Sequence, residues 1–256
     1  MKKFILNLVV KDNITLNNQY SLIILTSDDP LPPMLPGQFA EVRVDNSPNT
    51  FLRRPISINF VDTAKNELWL LIQKVGDGTK KLCEAKSGEI MNLVVPLGNS
   101  FSLPENIESE VLLVGGGVGI APLLFWGACL FEKGYKCSFL LGGRSTENLL
   151  QLDDFAKYGT VYTTTEDGSH GEKGFVTQHS VLKGRNFDAI YSCGPTPMMK
   201  AVAAYASLNN IFCEVSLENT MACGFGACLC CVTDTTEGHQ CVCTEGPVFN
   251  ISKLKW

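Results

Sequence analysis

Basic charge is in short supply in this chain. It carries 21 Lys+Arg against 26 Asp+Glu, a formal net charge of −5, and has no Lys/Arg run with interleaved aromatic residues. A nucleic acid partner is therefore excluded, because neutralising phosphates needs a basic face. Histidine is scarcer still. His170, His179 and His239 share no metal-ligand spacing and are expected to be exposed or locally hydrogen-bonded. The start has no charged n-region followed by an apolar h-region, and the 11 cysteines are odd in number. A secreted disulfide scaffold is excluded, and a reducing, cytoplasmic compartment is expected. With 256 residues the chain is long enough for roughly two compact domains and needs no disulfides to hold together.

One run lacks charge altogether. Residues 111–130, VLLVGGGVGIAPLLFWGACL, have about the length of a membrane span. Four glycines and a proline stand in its middle, and in a helix interior each Gly costs about 1 kcal/mol and Pro about 3 relative to Ala. A buried strand, a glycine turn and a buried helix start are predicted instead, with no membrane partner.

The first hundred residues contain six short apolar, β-branched runs: KKFILNLVV, YSLIILTS, GQFAEVRV, PISINFV, ELWLLIQKV and EIMNLVVP. Pro, Gly, Asp and Asn clusters separate them, which predicts an antiparallel barrel or sandwich. From about Glu108 the rhythm becomes strand, glycine turn, helix, as expected of a parallel α/β sheet. After about Val215 neither rhythm continues. The expected organisation is a β-barrel domain over 1–104, a nucleotide-binding α/β domain over 105–215 and a small cysteine-bearing module over 216–256.

Five stretches can carry chemistry. The first places a strand before Gly115, Gly116, Gly117 and Gly119, so that backbone N–H groups and a helix N-terminus face a phosphate. The usual dinucleotide fingerprint is absent, since Pro122 holds the third small position and the next strand runs into Gly142, Gly143 and Arg144 without an acid. The second, FLRRPISI, offers a guanidinium for a pyrophosphate and the Ser57 hydroxyl for a ring edge. The third, KVGDGT, opens a short helix at Gly78 and Thr79, read either as a phosphate contact or as a turn with an N-cap threonine. The fourth, YSCGPTPMM, sets Cys193, Gly194 and Pro195 at the end of a strand, where α/β sheets bind ligands or where a thiol simply packs.

The fifth is the most specific. Cys223-x4-Cys228-x2-Cys231, followed by Cys243, has the spacing of a plant-type 2Fe–2S site. Gly224 and Gly226 permit a backbone tight enough to bring N–H groups toward sulfur. A structural zinc would more typically show two CxxC pairs, and the second pair is missing. Cys230 beside Cys231 and Cys241 beside Cys243 leave the ligand choice open on spacing alone.

In this order, RPIS, GDGT, GGGVGIAPL, CGPTPMM and CGFGACLCC…CTEGPVF resemble the ferredoxin-reductase-like flavoproteins, and within them the electron-transfer subunits of dihydroorotate dehydrogenase B. The resemblance spans nearly the whole chain. It implies that Arg54, Pro55, Ile56 and Ser57 bind FAD, that Leu71, Ile72 and Gln73 lie along it, and that Gly78 and Thr79 touch its phosphate. It implies that residues 115–119 and Cys193, Gly194 and Pro195 receive NAD, with Ser57 and Cys193 near the flavin–nicotinamide contact. It selects Cys243 as the fourth cluster ligand beside Cys223, Cys228 and Cys231. One departure is plain: superfamily members commonly have an aromatic residue between Arg and Ser of the flavin motif, where this chain has Pro55 and Ile56.

The resemblance further implies an FAD, 2Fe–2S and NAD oxidoreductase subunit of pyrimidine biosynthesis. Electrons would run from dihydroorotate through a separate FMN-containing catalytic subunit to the cluster, FAD and NAD⁺, in a heterotetramer with two copies of each chain. The ring contact for hydride transfer needs roughly 3–3.5 Å, which a two-domain cleft would supply. Competing expectations are the FAD/2Fe–2S subunit of an NADH-dependent ferredoxin:NADP oxidoreductase or sulfide dehydrogenase, a stand-alone diaphorase, and a non-catalytic zinc-stabilised nucleotide-binding module.

Overall fold

A computed structural model describes residues 2–256. The chain divides into two compact units. The first runs through Ser100 and takes in Asn219–Thr233 and His239–Pro247; the second is Phe101–Glu218 with Asp234–Gly238 and Val248–Trp256.

The six apolar runs of the first unit all form strands. They are β1 (Phe4–Thr15), β2 (Tyr20–Thr26), β3 (Phe39–Val42), β4 (Arg54–Asp62), β5 (Glu67–Gln73) and β6 (Ile90–Leu97), with a short helix α1 (Asp77–Leu82) between the last two. They close into an antiparallel barrel in the order β1-β2-β5-β4-β3-β6. Side chains alternate across each strand, so Leu8, Val10, Ile58, Leu70, Leu93 and Val95 fill the interior.

The barrel wall has one opening that matters. The β4–β5 ladder runs from Asp62 opposite Glu67 to Ile58 opposite Leu70 and stops there. Beyond that point β4 keeps only its β3 partner, and Leu71, Ile72 and Gln73 keep only β2. The two strands part over the segments that carry the sequence-predicted flavin residues.

The second unit begins with β7 (Glu110–Gly116), a 3₁₀ turn at Gly117–Ile120, and α2 (Ala121–Glu132). It continues through β8 (Lys136–Gly143), α3 (Leu152–Ala156), β9 (Thr160–Thr165), β10 (Glu172–Lys173), α4 (Val181–Gly184), β11 (Ala189–Cys193), α5 (Thr196–Leu208) and β12 (Phe212–Ser216). In the tail, β13 (Val232–Thr235) and β14 (Gly238–Cys241) make a two-stranded ribbon before β15 (Val248–Asn250). The main sheet has the order β10-β9-β8-β7-β11-β12-β15, parallel throughout except that β15 runs antiparallel to β12.

Strands β7, β8 and β11 are apolar along their length because both faces are covered, as a parallel sheet requires. The charge-free run is the predicted strand, turn and helix, and among the described residues no helix is long and apolar enough to cross a membrane. Gly127 lets α2 settle onto β8, since a Cβ there would stand 2.4 Å from the Phe139 ring. Beneath it Trp126 stacks on Phe101 at 5.7 Å and meets Tyr191 edge-on at 5.3 Å.

Candidate functional site

Two motifs far apart in sequence meet at the barrel opening. The Arg54 guanidinium lies directly on Gly78, where a Cβ would come within 2.6 Å of its Nε. A Cβ there would push the guanidinium aside, so the glycine lets GDGT and RPIS meet at the mouth of α1. The neighbouring arginine does something different. Arg53 donates to the Glu41 and Asn92 carbonyls at 3.2 and 3.0 Å and to the Asn92 side chain, which ties it into the barrel wall. Arg54 stays outside the wall: its Nη1 donates only to the neighbouring Leu52 and Arg53 carbonyls, both at 3.1 Å.

Thr79 is turned inward. Its hydroxyl accepts from the N–H groups of Val75 and Gly76 at 3.0 and 3.1 Å and donates to the Gly76 carbonyl at 3.1 Å. It holds the turn; the backbone is what that turn offers to a phosphate. Leu71 and Ile72 are buried on opposite faces of β5, so over this stretch the half-buried Gln73 is the accessible side chain. Pro55, Ile56 and Ser57 form the other lip of the opening. The opening has two strand edges without ladder partners to each other, with Arg54 and Ser57 on one of them.

In the second unit the glycine loops after β7 and β11 lie side by side, because Cys193 pairs with Gly115 in the sheet. A Cβ on Gly119 would stand 2.4 Å from the Gly194 Cα, and one on Gly116 would stand 2.6 Å from the Met198 sulfur. Gly117 takes a left-handed φ of 56° to make the turn. The chain moves from β7 outward through β8, β9 and β10, then crosses back to β11, so residues 115–119 and 193–195 flank the reversal of strand order. This is where open α/β sheets bind nucleotides, and its donors are backbone N–H groups.

The Cys193 thiol does not line that surface. It is fully buried and donates to Glu218 Oε1 at 3.7 Å. Burial and Glu218 push the thiol well above its usual range, against hydrogen bonds with Ser216 and Gly194 that act to lower it, which leaves it protonated and unreactive. His179 is locally hydrogen-bonded, as expected: its Nδ1 accepts from the Val181 N–H at 3.1 Å.

The four cysteines expected to hold a cluster lie in one segment of the chain, with thiols that interact two by two. Cys223 hydrogen-bonds Cys228, and Cys243 hydrogen-bonds Cys231. Burial works to raise Cys223, but the backbone N–H groups of Phe225, Cys228 and Ala227 and the Cys228 thiol outweigh it and bring the thiol down to about 6. Gly226, with φ 87°, turns its N–H onto the Cys243 Sγ at 3.2 Å, and Cys243 N–H points at the Cys231 Sγ at 3.4 Å. Burial and Cys231 push Cys243 up to about 12. Among the described residues no group of three or more His, Cys, Asp or Glu side chains is arranged to hold a single metal ion. Two pairs with N–H groups aimed at sulfur suit a two-iron cluster and do not suit a single tetrahedral zinc.

Sequence reasoning missed Glu41. It is fully buried on β3 opposite Pro55, and neither carboxylate oxygen has a hydrogen-bond partner. A Cβ on Gly224 would strike its Cγ at 2.6 Å, which places it between the flavin segment and the cysteine loop. Burial, opposed by the Arg53 charge and reinforced by Cys223, raises it to about 7. Its only trace in the sequence is an acid at an inward-facing register of a strand.

Comparison with known proteins bears on the family. Residues 218–255 match the iron-sulfur cluster binding domain of dihydroorotate dehydrogenase B, and residues 113–204 match the oxidoreductase NAD-binding domain. Relatives named dihydroorotate dehydrogenase B (NAD(+)), electron transfer subunit, are 41% identical over 224 residues in Shouchella clausii and 40% identical over 225 in Bacillus cereus, covering 86% of this chain and 86% of each relative. A solved structure of an NADH-dependent reduced ferredoxin-NADP oxidoreductase is similar at a TM-score of 0.85 and 30% identity, over 100% of this chain and 92% of that one. A cytochrome P450 reductase from Amycolatopsis, 22% identical with a TM-score of 0.70 over 82% of this chain and 67% of its own, shares the fold. Identity of this degree over this span, on top of two matched domains in the right order, establishes that the chain belongs to the family of dihydroorotate dehydrogenase B electron transfer subunits.

Proposed function

We propose that this chain is the electron-transfer subunit of an NAD-dependent dihydroorotate dehydrogenase, carrying electrons from an FMN-containing catalytic subunit by way of a 2Fe–2S cluster and FAD to NAD⁺. The observation that carries the reading is the cysteine loop: two thiol pairs under N–H donors, on a chain that also holds the barrel cradle and the glycine loops. A nicotinamide exchanges a hydride, an iron–sulfur centre exchanges single electrons, and a flavin accommodates both.

The residues divide the work accordingly. Arg54, laid over Gly78, binds pyrophosphate oxygens and fixes the FAD end nearest α1. Ser57 and the open edges of Arg54–Asp62 and Glu67–Gln73 orient the ring between them. Gly115, Gly116, Gly117 and Gly119, with Gly194 and Pro195, keep the loop surface free of side chains so that the backbone meets the dinucleotide. Cys223, Cys228, Cys231 and Cys243 would hold the 2Fe–2S cluster, which would supply one-electron transfer. No general base is called for, and none stands at the loops; the protein's task is to position rings and tune potentials.

That its relatives are named electron transfer subunits supports a second, FMN-bearing polypeptide as the place where dihydroorotate is oxidised; two copies of each chain and a cytoplasmic setting complete the proposal. Purified chain given dihydroorotate and NAD⁺ is expected to turn over only when the catalytic subunit is added. Turnover by the single polypeptide, or a chain isolated anaerobically without iron and acid-labile sulfide, overturns the proposal. One observation favours a second reading, the subunit of a ferredoxin-NADP oxidoreductase: the likeness to such an enzyme spans the whole chain. Identification of the native partner separates the two.

A further inference from the structure

Three successive carbonyls at the exit of the cysteine segment end on one residue of the barrel unit. The Asn99 side chain donates from Nδ2 to the Thr244 and Glu245 carbonyls at 3.1 and 2.9 Å, and its backbone N–H donates to the Gly246 carbonyl at 2.6 Å. The approach is close. Gly98 takes a left-handed φ of 76°, and a Cβ there would stand 2.5 Å from the Pro247 Cδ and 2.9 Å from the Gly246 oxygen. Immediately before those carbonyls comes Cys243, inside a tight turn: the Thr244 and Glu245 N–H groups donate to the Cys241 carbonyl at 3.0 and 2.9 Å. Whatever holds the exit of that turn holds Cys243.

On its other side Asn99 is tied to the lip that carries Ser57. Leu97 stands opposite Phe39 in the barrel, and Phe39 stands opposite Ser57. The Gln38 side chain donates to the Gly98 carbonyl at 2.9 Å and accepts from the Leu35 N–H at 2.7 Å, while the Gln38 carbonyl accepts from the Ile58 N–H at 3.0 Å. A continuous path of bonds therefore runs from Ser57 and Ile58 through Gln38, Gly98 and Asn99 to the Cys243 turn, all of it within the first compact unit. Asn99 itself is exposed, so trimming its side chain opens no cavity.

We propose that Asn99 is a positioning residue for electron transfer: by holding the exit of the Cys243 turn against the strand ends beside Ser57, it fixes the place of the cluster relative to the flavin ring. It touches neither group and acts through Cys243. The proposal rests on the reading that Cys243 ligates the cluster and that Ser57 borders the flavin. A functional constellation keeps its geometry only where hydrogen bonds behind it lock the groups in place, and removing such a partner costs about 10–100-fold. Without the Asn99 amide, water takes the Thr244 and Glu245 carbonyls, and the turn loses its side-chain tie to the barrel.

The test uses the full-length chain purified anaerobically with FAD and cluster bound, in its native form and as Asn99→Ala. The control is Asn13→Ala, which removes an amide that likewise spans two carbonyls, those of Cys83 and Ala85, in the turn after α1. Stopped-flow absorbance follows reduction of FAD by NADH and then passage of electrons to the cluster. Pulsed electron paramagnetic resonance reads the dipolar coupling between the one-electron-reduced flavin and the reduced cluster, which reports their separation and not stability. In Asn99→Ala, FAD reduction is expected at the native rate with native iron content, passage to the cluster about 10-fold slower, and the coupling spread over a range of separations. Asn13→Ala is expected to melt at a lower temperature with both readings native. Native coupling and native passage in Asn99→Ala overturn the proposal, as does an equal change in Asn13→Ala, which would make the effect one of general stability. Should Asn99→Ala retain no iron, Asn99→Ser, whose hydroxyl serves one of the two carbonyls, is read by the same criteria. A native chain with no flavin–cluster coupling overturns the reading beneath the proposal; native coupling that the Asn99 variants leave untouched overturns the proposal alone.

Discussion

A single methyl group at residue 119 should disable the nucleotide site while leaving the cluster untouched. In Gly119→Ala the new Cβ would stand 2.4 Å from the Gly194 Cα, 2.5 Å from its nitrogen and 2.7 Å from the Cys193 carbonyl carbon. Carbon atoms settle at about 3.5–4.0 Å, so the two loops must part by roughly an ångström, and all three neighbours are backbone with no rotamer to yield. Overpacking of this kind costs about 1–3 kcal/mol, and a displacement of roughly 1 Å in a reacting geometry costs about 10²-fold in rate. Stopped-flow reduction of bound FAD by NADH should slow on that scale, the melting temperature should fall by several degrees, and the iron content should stay at the native level. Gly184→Ala serves as control, since nothing lies within 4 Å of a Cβ there. Should Gly119→Ala reduce FAD at the native rate with an unchanged melting temperature, the loops do not meet as described.

Arg54→Lys replaces a planar fork with a point charge and is expected to weaken FAD retention by about 10–100-fold, read by flavin release on dilution, whereas a flavin occupancy equal to the native chain would remove Arg54 from the cradle. Cys228→Ser should bleach the cluster's visible bands and abolish reduction of a one-electron acceptor protein while NADH still reduces FAD; an unchanged acceptor rate would make the cluster ornamental. Glu41→Gln tests the buried carboxyl. Because its folded value is raised from 4.5 to about 7, the native fold carries no penalty below about pH 4.5, loses stability as pH climbs from there, and bears the whole cost above about 7. That cost is about 3 kcal/mol, so urea midpoints of variant and native chain should diverge in the variant's favour between pH 4.5 and 8, and a constant difference would show that Glu41 is not desolvated.

Much of this architecture could be read from residue order. The barrel strands follow from runs such as YSLIILTS and ELWLLIQKV bounded by turn residues, and the second sheet follows from strand, glycine turn and helix repeated. The thiol spacing and the glycine loops were visible because each is local. What stayed hidden depends on pairing between distant segments. FLRRPISI does not say that Arg53 will turn to Asn92 and Arg54 to Gly78, because that division is set by which barrel strands neighbour each other. The opening between β4 and β5 is likewise a property of register, not of either strand's composition. Cys193 reads as a thiol at a ligand-binding strand end, yet the side chain that ends the strand points into the protein. Glu41 leaves only a faint mark, an acid inside a short strand that is otherwise apolar.

The cysteine segment leaves the second sheet after Ser216 and returns at Val248, and those two residues face each other on one rung of the ladder. Topologically the segment is an appendix sewn shut at its base. If the irons depart, the slack is confined to a closed loop whose extra entropy grows only slowly with length, and the stitch between Phe212–Ser216 and Val248–Asn250 remains. A damaged molecule would thus keep its nucleotide pocket and wait for repair instead of unravelling from its tail.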